Sequence, residues 1–164
     1  MELSRLESTI LRQISQKACL DYGINMARKV NGHVVELGLG MGYTFDHLRR
    51  SFTARQLYAF DLELFTHKKL TPFETQLRLG DIRETFPRFA KHNFQKVALL
   101  HIDIRTNNFK RDTAVYSRVE AAIEEAMAPN GIVVSDRELN LNGFKLGPPL
   151  AATQDWPYFL YIRV

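Results

Sequence analysis

Residues 33–50 read HVVELGLGMGYTFDHLRR, and the rest of the chain is organised around them. The short apolar run 33–37 has the length and composition of a buried strand. Three glycines follow at every second position, Gly38, Gly40 and Gly42, and a helix can open at Thr44. Strand, glycine loop and helix start form a cradle for a nucleotide-like ligand. Glycines allow positive φ and let a ligand approach the backbone where a Cβ would clash.

The spacing narrows the choice of ligand. The dinucleotide fingerprint G-x-G-x-x-G puts its third glycine three residues after the second. Here Gly42 follows Gly40 by two and position 43 is Tyr43, which disfavours a nicotinamide cofactor. A phosphate-binding P-loop is excluded, because no Gly-Lys-Ser/Thr follows.

Upstream, residues 2–30 carry a helical period: Leu3, Leu6, Ile10 and Ile14, then Leu20, Ile24 and Ala27, with charges between them. We read two helices, or one bent near Asp21-Tyr22-Gly23, ended by the Asn31-Gly32 turn. This segment suits a lid over the cleft, a dimer element, or a helix packed on the sheet.

Downstream, strands and helices alternate. The spacing predicts a helix after the glycine loop with Phe45 and Leu48 inward, and a second strand over 56–60 ending at Asp61. A loop or short helix follows before Pro72. A third strand over 74–79 leads to Gly80-Asp81, and a helix over 82–92 has Pro87 starting or kinking it. Residues 95–102 are apolar enough for a strand buried on both faces, ending at Asp103. A long helix follows, stopped by Pro129-Asn130-Gly131. A fifth strand covers 131–135 and ends at Asp136, and a last strand covers 158–164 with a hairpin partner near Phe144 to Leu146. This is an α/β chain: a Rossmann-like, mostly parallel sheet with helices on both faces and an antiparallel C-terminal edge strand.

Composition agrees with one globular domain over 1–164, with residues 1–31 as its N-terminal helical segment. Hydrophobic residues make up 45% and charged residues 24%. No apolar run approaches the ~20 residues that cross a bilayer, and charges break up the N-terminus, unlike a secretory signal. We expect a cytoplasmic protein without membrane partners. The single Cys19 excludes an internal disulfide and a cysteine-based zinc cluster, and reads as a small apolar filler. Net charge is +4, but the basic residues come as scattered pairs, so a nucleic-acid partner is not favoured.

Acidic residues recur at the strand ends: Asp61, Asp81, Asp103 and Asp136. Ligands of open α/β sheets bind outside those ends. With Glu36-Leu37-Gly38-Leu39-Gly40-Met41-Gly42, Gly80-Asp81, Leu99 to Asp103 and Ala128 to Val134, this ordered set resembles the class I S-adenosylmethionine-dependent methyltransferases. The resemblance runs from about His33 to Val164 and includes the terminal antiparallel strand.

It implies a role for each residue. Glu36 would brace the loop and meet the methionine amino group, and Gly38, Gly40 and Gly42 would present backbone. Tyr43 would wall the methyl donor. Asp61 would accept both ribose hydroxyls, Asp81 would take the adenine amino group, and the Ile82 N–H would face the ring. Candidates for chemistry come from the loops after strands four and five: His101, Asp103, Arg105, Asn107, Asn108, Ser135, Asp136 and Arg137. Asp103 comes first, then Asp136. His33 and His101 read as structural. A subgroup, the catechol-type O-methyltransferases, holds a divalent cation with residues matching Asp103 and Asp136. Where that group has asparagine this chain has Arg137, whose charge would repel a metal, so no metal ligand is assigned.

The expectation is therefore an enzyme transferring a methyl group from S-adenosylmethionine to a small-molecule acceptor at oxygen. Arg105 and Arg137 hint that the acceptor is anionic. The alternatives are a non-catalytic module binding the same cofactor and a nicotinamide-dependent oxidoreductase.

Overall fold

A computed structural model describes residues 3–104, 106 and 108–164. In chain order its strands are β1 (His33–Leu37), β2 (Leu57–Asp61), β3 (Leu77–Leu79), β4 (Val97–Ile102), β5 (Met127–Ser135), β6 (Phe144–Leu146) and β7 (Phe159–Arg163). They form one sheet in the order β3-β2-β1-β4-β5-β7-β6. The first five are parallel, β7 runs antiparallel to β5, and β6 closes a hairpin on β7. Sequence order turns outward in both directions from the β1–β4 neighbourhood, which creates a crevice at their carboxyl ends.

The helices are α1 (Arg5–Ala27), α2 (Tyr43–Arg49), α3 (Ile82–His92) and α4 (Phe109–Ala126). Each face of the sheet carries its own apolar layer. One contains Val35, Leu37, Phe60, Phe86 and Leu100 with the buried faces of α3 and α4. The other contains Val34, Leu99, Val134 and Phe45 with α1 and α2. All six residues of β4 are buried, five of them apolar and the sixth His101, as a strand in mid-sheet covered on both faces requires.

Three expectations are corrected here. First, α1 is a single continuous helix, started by a capping box between Ser4 and Glu7. It does not break at Gly23 because that glycine is a contact point. A Cβ there would lie 2.9 Å from Leu99 and 3.0 Å from Val134, so its absence lets helix and sheet approach. Second, Glu74–Gln76 is a one-turn 3-10 helix, and only Leu77–Leu79 pairs as a strand. Third, α4 ends at Ala126 and β5 begins at Met127, so Pro129-Asn130-Gly131 lies inside β5 as an irregularity. Val97 pairs with Met127 but Leu99 with Ile132, which accommodates the extra residues.

The apolar period of α1 also divides. Its second half buries Cys19, Leu20, Gly23, Ile24 and Ala27, whereas Leu6, Ile10 and Ile14 in the first half, and Leu3 just before it, are exposed. Among the described residues no helix is long and apolar enough to cross a membrane.

Candidate active site

The site starts from the turn after β1. Gly38 has φ +92°, and a Cβ on it would overlap the carbonyl oxygen of Asp103 and sit 3.0 Å from the carbonyl carbon. Only glycine lets the two central strand ends approach this closely. Gly40, at φ +49°, has the opposite surroundings, with nothing within 4 Å of where its Cβ would be. Gly42 is the left-handed N-cap of α2. The loop thus combines a packed glycine under the turn with an open one on its surface.

That surface borders a cavity of about 580 Å³. Gly38, Gly40, Tyr43 and Asp103 line it from the sheet side, and α1 supplies the facing wall with Arg12, Gln16 and Lys17. The two walls are tied together at Asp103. Its Oδ2 accepts from Gln16 Nε2 at 2.7 Å and is also paired with the Arg12 guanidinium. Arg12 Nε is buried without a partner among the described residues.

Beneath the loop, Glu36 is fully buried. Its Oε1 accepts from the Thr44 hydroxyl and lies 3.0 Å from His101 Nδ1. His101 Nε2 is 2.7 Å from the Tyr158 hydroxyl, which accepts from Gln16 Nε2 at 3.2 Å. Burial disfavours a charged His101, but the neighbouring Glu36 charge and hydrogen bond, with Asp103 and Asp136 beyond, outweigh it and raise the imidazole pKa. Glu36 Oε2 is buried and has no partner among the described residues. A buried carboxylate oxygen without a donor is costly. Glu36 itself lies outside the residues that line the cavity.

Asp61 turns back toward the glycine loop. Its Oδ2 accepts from Gly40 N at 2.9 Å and its Oδ1 from Leu62 N at 2.7 Å. Asp81 caps α3 by accepting from Arg83 N at 2.9 Å, and both its oxygens are held by the Arg83 guanidinium. Asp81 and the buried Ile82 therefore stand at the next strand end, outside the residues that line the cavity.

The loops after β4 and β5 differ from expectation in their partners. Asp136 accepts from the Tyr116 hydroxyl, which itself accepts from Ile104 N at 2.9 Å. Arg137, expected to hint at an anionic acceptor, is bonded to Asp112 at 2.8 Å. Its guanidinium carbon lies 5.2 Å from the ring centres of both Phe109 and Tyr116. Its charge is thus already used within the fold. Ser135 accepts from Arg137 N, and Asn108 caps α4. Arg105 and Asn107 lie outside the described residues. A second cavity of about 710 Å³ opens here, lined by Phe109, Asp112, Tyr116, Arg137 and Glu138. His33 packs against the rings of Tyr58 and Phe89, and burial pushes the Cys19 thiol up to about 12.

Sequence reasoning missed Arg12, Gln16, Thr44 and Tyr158. Arg12 and Gln16 interrupt an apolar period, and a polar residue on the inward face of a docked helix is the signal that could have singled out Gln16. Nothing local marks Tyr158, whose hydroxyl meets His101 across 57 positions.

An open parallel sheet with a glycine cradle at its switch point, acidic residues at successive strand ends and a closing antiparallel hairpin defines a Rossmann-like methyltransferase fold. The comparisons carry this to a family. A family model described as S-adenosyl-L-methionine methyltransferase matches residues 3–163. The chain belongs to this family of class I enzymes, and its cofactor is S-adenosylmethionine. The crystal structure of an S-adenosyl-L-methionine methyl transferase from Silicibacter pomeroyi DSS-3 is similar at 34% identity. The match covers 99% of this chain and 100% of that one, with a TM-score of 0.91. A methyltransferase from Geobacter sulfurreducens shares the fold at 13% identity and TM-score 0.55, over 99% of this chain and 80% of that one. So does the sugar N-methyltransferase KedS8 from Streptoalloteichus, at 15% identity and TM-score 0.53, over 84% and 56%. No curated protein matches the chain significantly.

Proposed function

We propose that this enzyme, acting as a single domain, transfers the methyl group to an oxygen of a small-molecule acceptor. The cavity between the glycine loop and α1 would hold the methionine part of the cofactor. The observation that carries the reading is that cavity, bordered by the open Gly40 and faced by Arg12, Gln16 and Lys17 of α1. The unpartnered Oε2 of Glu36 supports it from beneath the loop, fully buried and outside the cavity's lining. The cofactor, when bound, supplies a methyl group already activated on a sulfonium.

The chain's own residues then have to bind, orient and deprotonate. Glu36 takes the ammonium, and Gly38, Gly40 and Gly42 present backbone. Arg12 and Lys17 offer positive charge to the carboxylate, and Tyr43 walls the methyl donor. Asp61 accepts from the ribose, and it must exchange its present Gly40 N–H donor for a hydroxyl to do so. Asp81 meets the adenine amino group only if Arg83 releases part of its fork, while the Ile82 backbone lies against the ring. Asp103 is the group to accept the proton from a hydroxyl acceptor: it lines the cavity, and both its donors converge on Oδ2, leaving Oδ1 for this work. Asp136 contributes through Tyr116.

No metal is needed in this reading. Asp103 and Asp136 already hold donors within the fold, and Arg137 follows Asp136 in the chain. The acceptor's hydroxyl must reach Asp103 in the cavity between the glycine loop and α1. The larger cavity by Phe109 and Tyr116, which Asp103 does not line, suits only the remainder of the acceptor, and its Asp112 and Glu138 weigh against an anionic one. The outward apolar stripe of α1 supports pairing with a second copy, and the buried, unpaired Cys19 is in keeping with a reducing cytoplasm.

Transfer of an isotope-labelled methyl group from the cofactor into a small-molecule extract tests the proposal. The chemical shift of the labelled carbon distinguishes an O-methyl from an N-methyl product. Label in nitrogen-bound methyl, or only in macromolecules, would refute it.

A further inference from the structure

The buried polar chain beneath the glycine loop includes two groups, His101 and Tyr158, with no role in the binding and proton transfer described above. It runs from Gln16 through Tyr158 and His101 to Glu36, with successive separations of 3.2, 2.7 and 3.0 Å. His101, Tyr158 and Glu36 come from the end of β4, the entry to β7 and the end of β1, so three separate chain segments meet there. His101 and Glu36 are fully buried, and Tyr158 is nearly so. Four polar groups in a sheet interior are costly unless each is satisfied. An apolar set of the same shape would close this space with less desolvation. The chain nevertheless ends on one unsatisfied atom, Glu36 Oε2.

We infer that His101 and Tyr158 are positioning residues, which fix the Glu36 carboxylate through Oε1 so that Oε2 is held for the cofactor's ammonium. The hydrogen count supports this direction. His101 Nδ1 donates to Glu36 Oε1 whether the ring is charged, as its raised pKa favours, or neutral. In the neutral form Gln16 donates to the Tyr158 oxygen and Tyr158 donates to His101 Nε2. Thr44 donates to the same oxygen. Every donor of the chain is then used, and both donors that reach Glu36 are spent on Oε1. A carboxylate held this way cannot rotate to share its charge, which gives the ligand a fixed acceptor and no reorganisation on binding. Gln16 also donates to Asp103, so the arm of α1 that walls the cavity is locked to the same chain.

This inference rests on the proposed cofactor pose, and the test separates the two. The probes are S-adenosylhomocysteine, which carries the amino-acid part, and 5′-methylthioadenosine, which lacks it. Both are titrated calorimetrically into the full chain and its variants. H101Q, whose amide reaches toward Tyr158 rather than Glu36, should weaken S-adenosylhomocysteine by ~10-fold or more, the scale of a hydrogen bond to a charged group. It should leave 5′-methylthioadenosine within about twofold of the parent, on the scale of a few tenths of a kcal/mol. H101N, whose amide can donate to Glu36, should recover most of the loss. If the buried histidine proves necessary for folding, Y158F removes one hydroxyl and keeps the ring. It should weaken S-adenosylhomocysteine alone by about 3–10-fold. Equal weakening of both probes, or unchanged S-adenosylhomocysteine binding in H101Q and Y158F, would overturn the positioning role and leave the cofactor pose standing. A parent protein that binds neither probe would overturn both.

Discussion

Gly38 and Asp103 are in backbone contact across the β1–β4 crevice, so close that a methyl group on Gly38 would overlap the Asp103 carbonyl. The first glycine of the loop and the first candidate for proton transfer are therefore one structural unit. Gly40, two residues on, faces open space. The two glycines should respond differently to the same substitution. Gly38→Ala, with its backbone clash and positive φ, should lose ~2–5 kcal/mol of stability. Gly40→Ala should cost only about 1–2 kcal/mol for its left-handed φ, yet impair cofactor binding by placing a methyl group on the cavity wall. Denaturant unfolding and calorimetry on the pair check this. Equal stability losses would contradict the packing described.

Arg12 and Gln16 make α1 a wall of the site through one carboxylate oxygen of Asp103. Arg12→Leu removes a charged partner from a mostly buried group, and we expect a stability loss of ~1.5–3 kcal/mol. Cofactor affinity should fall with it, since the helix arm loosens where it faces the ligand. Urea unfolding and ligand titration of the variant measure the two effects. A variant as stable and as tightly binding as the parent would show that the arm docks independently of Asp103.

Much of this was legible before the fold was known, and the exceptions have physical reasons. The strand, glycine loop and helix of residues 33–50 could be read because their signals are local. From sequence alone Gly23 reads as a bend because glycine weakens helices, but in the fold its missing side chain is what lets Leu99 and Val134 pack close. Pro129-Asn130-Gly131 reads as a helix stop because those residues punctuate. The bulge that they occupy is visible only once Val97 and Leu99 are known to pair on either side of it. Asp61, Asp81, Asp103 and Asp136 were found by their position at strand ends. Arg83 is local to Asp81, two residues on in the helix that Asp81 caps. Gly40, Arg12 and Tyr116, the partners of Asp61, Asp103 and Asp136, come from distant loops and helices whose approach no local pattern encodes.

Cys19 is buried among apolar residues, with its thiol pushed up from 9.0 to about 12. A raised pKa favours the protonated thiol in the folded state, so this contribution is complete below pH 9.0 and is lost as pH rises toward 12. The native protein should resist thiol reagents at mildly alkaline pH and react rapidly once unfolded. Labelling rates with and without denaturant test this, and fast native labelling would contradict the burial.

His101 gives a second pH signature. Its pKa is raised from 6.5, so the stabilisation from its pairing with Glu36 is fully present below pH 6.5 and is lost as pH rises through the elevated native value. The denaturation midpoint should fall over that interval in the parent and lose this component in H101N. A parent midpoint with no alkaline decrease beyond that of the variant would contradict the coupling.

Asp61 touches the open glycine through Gly40 N. Asp61→Ala should weaken S-adenosylhomocysteine binding by ~1.5–3 kcal/mol through loss of hydrogen bonds to a carboxylate. Competition titration against the parent reads the shift, and unchanged affinity would mean that the ribose is held elsewhere.

The central claim is that the cavity between the glycine loop and α1 is the methyl donor's site. A crystal structure of the full chain with S-adenosylhomocysteine tests it most directly. The account predicts the amino group within hydrogen-bond distance of Glu36 Oε2 and the ligand sulfur in the cavity bordered by Gly40, Tyr43 and Asp103. A ligand seated in the cavity by Phe109 and Tyr116, or with its amino group away from Glu36, would contradict it.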